Sequence, residues 1–240
     1  MQTIPLANLA LTFIPVGIVI WILHRWSLGS RTAAYSVLRM LVQLLMIGYV
    51  LTYIFDSNEW PVILAVLAVM LLVSSWISLR PLRQKNRSIY LKVLLAISLG
   101  GITTLTLVTV AVLELNPWFS PSMMVPLAGM IFANSMNTVS VAAERFESEL
   151  VNTAYEQARL RAMKAAMIPI INSMFAVGLV SLPGMMTGQI LSGISPLIAV
   201  RYQVMVMCMI FGSAGISAAC YLWLMKKSSK SGCLRHPTAR

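Results

Sequence analysis

Asn134, Asn137 and Thr138 fall three or four residues apart with Met130 one turn before them, so on a helix they make one polar stripe. Asn172 and Ser173 form a second polar pair, and Arg39 and Gln43, four apart, share a helical face near the start of the chain. Neutral amides and hydroxyls hydrogen-bond without titrating, which suits passage of a solute or bonding between helices. For Arg39 the competing use is snorkelling to an interface. His24 and His236 are far apart, and Cys208, Cys220 and Cys233 lack C-x-x-C spacing, so no metal centre or imidazole relay is read here. Methionines cluster late, at Met163, Met167, Met174, Met185 and Met186 and at Met205, Met207 and Met209. Thioethers suit Cu(I), but spacing by two scatters the last three around a helix and favours packing. The sequence has no G-x-x-x-x-G-K-[ST] phosphate loop and no other cofactor pattern, so any ATP this protein uses is split by a partner.

The elements that must position these residues are membrane helices. With 58% hydrophobic and 10% charged residues, the chain has too little polar surface to coat a water-soluble fold. Long apolar runs recur at 5–23, 38–55, 60–79, 93–113, 122–143, 165–182 and 202–225, each near the roughly 20 residues a helical crossing needs. A β-barrel would show alternating segments of about ten residues instead. The fold expected is an all-α polytopic bundle of about seven spans.

Charge supplies the orientation. Of the 18 Lys and Arg, 17 follow the odd-numbered runs: Arg25, Arg31 and Arg39, then the cluster from Arg80 to Lys92, the group from Arg145 to Lys164, and the tail from Lys226. The positive-inside rule makes that side cytoplasmic, with the N-terminus outside and the C-terminus inside. The net charge of +11 is therefore topological, and implies contact with lipid rather than nucleic acid. No Lys or Arg precedes the first run, which argues for a retained helix rather than a cleaved signal peptide. The expected organisation is a membrane domain over 1–225 with a cytoplasmic connection at 144–164, and a disordered basic tail over 226–240.

Residues 178–193, GLVSLPGMMTGQILSG, are the most unusual segment. Pro183 and Gly184 are expected to end a helix, with Gly188 and Gly193 keeping the chain flexible, so a broken helix or re-entrant turn at the outer face is read as a gate over Pro183, Gly184, Met185, Met186 and Gly188. A tight external loop is the plainer alternative. Arg201, beside Gln203, is the one basic residue outside the cytoplasmic pattern, and either attracts an anion or anchors at headgroups.

The run AAMIPIINSMFAVGLVSLPGMMTGQILSGISPLIAVRYQVMVM at 165–207, with VPLAGMIFANSMN at 125–137 and RMLVQLLMIGYVLTYIF at 39–55, resembles the permease subunits of the FetB type. That family includes a bacterial iron-export permease and plant aluminium-tolerance permeases. The resemblance implies a multi-pass protein of the bacterial cytoplasmic membrane, pairing as a homodimer with a separate ABC ATPase and exporting iron or another metal. It also implies that LVNTAYEQA at 150–158 is the coupling segment, with Glu149, Leu150, Asn152, Ala154 and Ala158 facing the ATPase. The family pattern there is nearer L-G-A-T-P-x-x-A after a longer helix; here Asn152 stands for the glycine and Tyr155 for the proline. Asn tolerates a left-handed backbone, so the turn is expected to survive.

Three readings compete on the sequence. They are an ABC permease, a self-sufficient secondary transporter or channel, and a membrane scaffold that transports nothing. The second would call for inverted repeats and ionisable groups inside the membrane, and neither is read. For a permease, the pathway is expected between the second, fifth and sixth runs, lined by Arg39, Gln43, Asn134, Asn137, Asn172 and Ser173. Iron against another metal or an organic solute, and the direction of transport, stay open.

Overall fold

Every regular element in the computed structural model, which describes residues 5–56, 59–83 and 85–230, is a helix, with one isolated bridge between Val177 and Ser181. The chain divides into two compact units, Met1–Ser57 and Asn58–Arg240. In the first unit α1 (Leu6–Leu11) leads directly into α2 (Phe13–Arg25), and a turn with Ser27 at φ 55° and Gly29 at φ 72° delivers the chain to α3 (Ser30–Asp56).

The second unit contains α4 (Trp60–Ser78), α5 (Arg87–Thr106), α6 (Pro121–Glu149), α7 (Tyr155–Ala176), α8 (Gly184–Leu191) and α9 (Pro196–Lys230). Among the described residues, six helical stretches are long and apolar enough to cross a bilayer: Ala7–Arg25, Ser30–Tyr49, Trp60–Ser78, Arg87–Val112, Pro121–Glu149 and Pro196–Lys226. The chain is a helical membrane bundle, as its composition requires. Lys226–Lys230 continue α9 as helix rather than opening a disordered tail, and 231–240 lie outside the described residues.

The expected span at 165–182 is not a single helix. Glu156, Arg159, Arg161 and Lys164 occupy the first half of α7, leaving an apolar stretch of about 18 Å against a hydrocarbon core of about 30 Å. At Ala176 the helix stops, and Gly178, at φ 84°, turns the backbone so that its N–H reaches the Ser181 carbonyl at 3.0 Å. Yet Tyr155 at the start of α7 donates to the Leu222 carbonyl near the end of α9, so the ends of α6 and α9 lie on one side. The chain between them runs to the start of α9 in two helical pieces, α7 and α8.

The core of this unit forms where α5, α6 and α9 pack, around Val93, Ile97, Leu127, Ile131, Tyr221 and Leu222. Small residues permit the approach. A Cβ on Gly100 would lie 2.7 Å from the Ser213 carbonyl oxygen and 2.9 Å from the Ser217 nitrogen. Some buried hydroxyls bond within their own helix, as where Ser75 donates to Leu71 O at 2.7 Å and Thr104 to Gly100 O at 2.7 Å, while those of Ser135, Ser217 and Tyr221 find no partner among the described residues. Across helices, Ser140 of α6 donates to the Ser78 carbonyl of α4 at 3.1 Å.

Candidate functional site

α6 is 29 residues long, about 43 Å at 1.5 Å per residue, and so exceeds the hydrocarbon core by about two turns. Its charged end therefore stands clear of the membrane while Asn134 and Asn137 sit near mid-depth. There they line a cavity of about 170 Å³ between α6, α7 and α9. Thr138 and Ser173 complete its polar wall, and Val141, Ala166, Pro169, Ile170, Met207 and Ile210 form the rest. Pro169 lies inside α7 and has no N–H, so the Ala165 carbonyl loses its helical donor beside the cavity.

Among the described residues, the polar stripe of α6 does not bond to neighbouring helices. Asn134 donates through Nδ2 to the Met130 carbonyl at 2.8 Å, and Thr138 donates to the Asn134 carbonyl at 2.9 Å. Of the six residues read as pathway, the fold brings Asn134, Asn137 and Ser173 together. Asn172 is exposed on α7 outside the cavity lining. Arg39, half-buried, and Gln43, exposed, belong to α3 of the first unit, where Arg39 sits more than two turns inside the helix because α3 begins at Ser30. Sequence reasoning missed Pro169, Met207 and Ile210 as lining. A proline in an apolar helix was the available signal for the first; nothing local marks the other two.

At the segment read as a gate, Pro183 and Gly184 begin a helix instead of ending one. Pro183 is the N-cap of α8, with φ −62° and ψ 145°, and Thr187 donates back to its carbonyl at 3.1 Å. Proline suits a helix start because it has no N–H to leave unpaired there and its φ is already fixed at about −65°. Gly188 lies within α8 and Met185 packs on the core, while the break falls earlier, at 177–183, where Leu179 and Val180 are 90% and 84% exposed. Arg201 is exposed near the start of α9, and Gln203 beside it is buried.

The connection at 144–164 is not a separate helix but the facing ends of α6 and α7 around a short turn. The Asn152 and Thr153 amides both donate to the Glu149 carbonyl, at 3.1 and 2.9 Å, and Ala154 caps α7 in extended conformation. Asn152 is not left-handed; among the described residues only Ser27 and Glu114 combine a side chain with positive φ. Glu149 braces the turn by pairing with Arg145 at 2.6 Å on its own helix and with Arg161 at 2.7 Å on α7. Ala158 is fully buried, while Leu150 is half-buried and packs on the core.

Tyr155, standing where the family pattern has proline, ties this turn to the bundle. Its hydroxyl donates to Leu222 O at 2.8 Å, and its ring meets Phe146 edge-on with centroids 5.8 Å apart. Burial pushes the phenol above its ordinary pKa, partly offset by the Arg159 guanidinium, which keeps the donated proton in place. Glu156 adds ion pairs to Arg159 at 2.8 Å and to Lys226 of α9 at 3.8 Å. Tyr155→Phe keeps the ring and loses the donor, so a stability loss of about 1 kcal/mol is expected in detergent unfolding. A midpoint equal to that of the parent protein would mean the bond carries nothing.

The family described as Uncharacterised protein family (UPF0014) matches residues 6–156 and 151–229. The chain belongs to the UPF0014 family. Among UPF0014 relatives, the Probable iron export permease protein FetB of Escherichia coli is 32% identical over 91% of this chain and 90% of its own length. A UPF0014 membrane protein of Synechocystis is 35% identical over 77% of this chain and 84% of its own. The Protein ALUMINUM SENSITIVE 3 of Arabidopsis thaliana is 34% identical over 77% and 72%. No solved structure matches. The two matched UPF0014 stretches overlap at 151–156, at the turn between α6 and α7.

Proposed function

We propose that the chain is the membrane-spanning permease of an ABC-type exporter, working as a homodimer with a separate ATPase and moving iron or another metal out of the cell. The observation that carries this reading is the α6–α7 turn. It is braced by Glu149, tied to α9 through Tyr155, and rich in charge, so it stands outside the bilayer. Val151 and Leu160 are nevertheless 67% and 63% exposed there. Apolar side chains facing lipid need no partner, but on a charged projection they are costly in water and mark a protein contact. Glu149, Leu150, Asn152, Ala154 and Ala158 surround or support that contact, and movement of α7 would reach the cavity at Ser173 and the break at 177–183. The relative named as a probable iron export permease supports the choice of cargo.

The test is affinity capture of the tagged chain from mild detergent, with ATP hydrolysis assayed with and without iron. A co-eluting ATPase stimulated by iron supports the reading; its absence, where a control transporter keeps its own, rejects it. Asn134→Ala should lower transport about tenfold while the complex still assembles, since one lost polar contact is worth about that much. Transport at the parent level would make Asn134 a packing residue only.

A further inference from the structure

The cavity is lined by four polar residues without charge among apolar ones, and the sequence explains why no carboxylate is among them. All seven carboxylates of the chain are Asp56, Glu59, Glu114, Glu144, Glu147, Glu149 and Glu156. None lies in 115–143 or beyond 156, which leaves the lining stretches of α6, α7 and α9 without an anionic side chain. Three of the four on the α6–α7 projection are already engaged: Glu147 accepts the Arg83 amide, Glu149 holds Arg145 and Arg161, and Glu156 holds Arg159 and Lys226. Arg39 and Gln43, the other polar residues of the early helices singled out by the sequence, would bring only a cation and a further amide.

A bare di- or trivalent cation fits such a wall badly. The cost of stripping its water rises with the square of its charge, and protein sites offset it with carboxylates, imidazoles or thiolates. Here the donors are two amides, two hydroxyls and a single soft thioether from Met207. The same groups suit the outside of a complex whose charge is already cancelled, because amides and hydroxyls recognise carbonyl and hydroxyl oxygens without needing a counter-charge. A volume of about 170 Å³ holds roughly six water-sized groups, the scale of a small chelate or a portion of one.

We infer that the cavity takes metal only as a near-neutral complex with small oxygen ligands, not as the free cation. This rests on the permease reading for the presence of metal, and it names the chemical form of the cargo. The test is equilibrium retention of radiolabelled iron by the purified chain in lipid nanodiscs, supplied as anaerobic ferrous chloride or as equimolar ferric citrate. The citrate complex should be retained saturably, with Asn137→Leu and Ser173→Val each lowering affinity about tenfold and Asn137→Gln restoring it. Ferrous chloride should stay at the level of empty nanodiscs. Saturable ferrous binding lost in Asn137→Leu, binding of either form unaffected by both substitutions, or retention of neither form would overturn the inference. The permease reading is decided separately by ATPase capture: a chain that captures its ATPase but binds the free ion loses only this inference. A chain that binds the complex but captures none keeps the cavity chemistry and loses the permease.

Discussion

Gly100→Val is expected to prevent the second unit from assembling, so that the variant gives no monodisperse peak in detergent size exclusion. A Cβ at this position would be 2.7 Å from the Ser213 carbonyl oxygen and 2.9 Å from the Ser217 nitrogen, and would also run into the Ser217 hydroxyl. Two of those three are backbone atoms of α9, and a helix packed on both α5 and α6 cannot retreat at one residue. Gly100→Ala alone should cost at least the 1–3 kcal/mol typical of overpacking, and valine adds two methyl groups. Removing the hydroxyl in a Gly100→Ala, Ser217→Gly pair should recover only part of that loss, because the backbone contacts remain. Gly129 is the control: its Cβ would meet only the flexible end of Met70 at 3.4 Å, so Gly129→Ala should be close to neutral. A well-behaved Gly100→Val protein would show that α5 and α9 do not pack as described.

Glu149→Ala is expected to cut transport about tenfold while ATP hydrolysis by the captured partner continues. The Glu149 side chain is only 11% exposed and holds Arg145 and Arg161, and its carbonyl receives the amides of the following turn. Both arginines are about half exposed, so water takes them back when the carboxylate is removed and the stability cost is about 1 kcal/mol or less. What is lost is the cross-brace that makes the ends of α6 and α7 move together. Glu144→Ala, one turn away and without an ion pair among the described residues, should leave transport unchanged. Loss of ATP hydrolysis together with transport in Glu149→Ala would mean that the residue docks the ATPase rather than transmitting its motion.

Much of the fold was legible because membrane insertion depends on local composition. Each apolar run near 20 residues announces a helix whatever its neighbours are, since unpaired backbone is too costly in lipid. The expected run at 60–79 accordingly matches α4 to within one residue, and that at 93–113 ends within one residue of the Arg87–Val112 stretch but starts six residues late. The amide stripe was legible for the same kind of reason: spacing of three and four on one helix puts Asn134 and Thr138 on one face without reference to anything else. Spacing could not rank Asn172 against Ser173, because adjacent residues on a helix diverge by about 100° and only packing places Ser173 rather than Asn172 in the cavity lining.

The sequence by itself determined that this is a multi-spanning helical protein, which side of it is basic, and that the polar stripe of α6 is neutral. These follow from residue type and spacing along the chain. Only the tertiary structure decided that the span expected at 165–182 breaks at 177–183, that Pro183 opens a helix, that Glu149 clasps Arg161 and that Tyr155 reaches Leu222. It also decided that Met207 and Pro169 share a cavity with Asn134. Those contacts join residues 12 to 73 positions apart, and at such separations partners are chosen by how helices pack, a choice that no local spacing encodes.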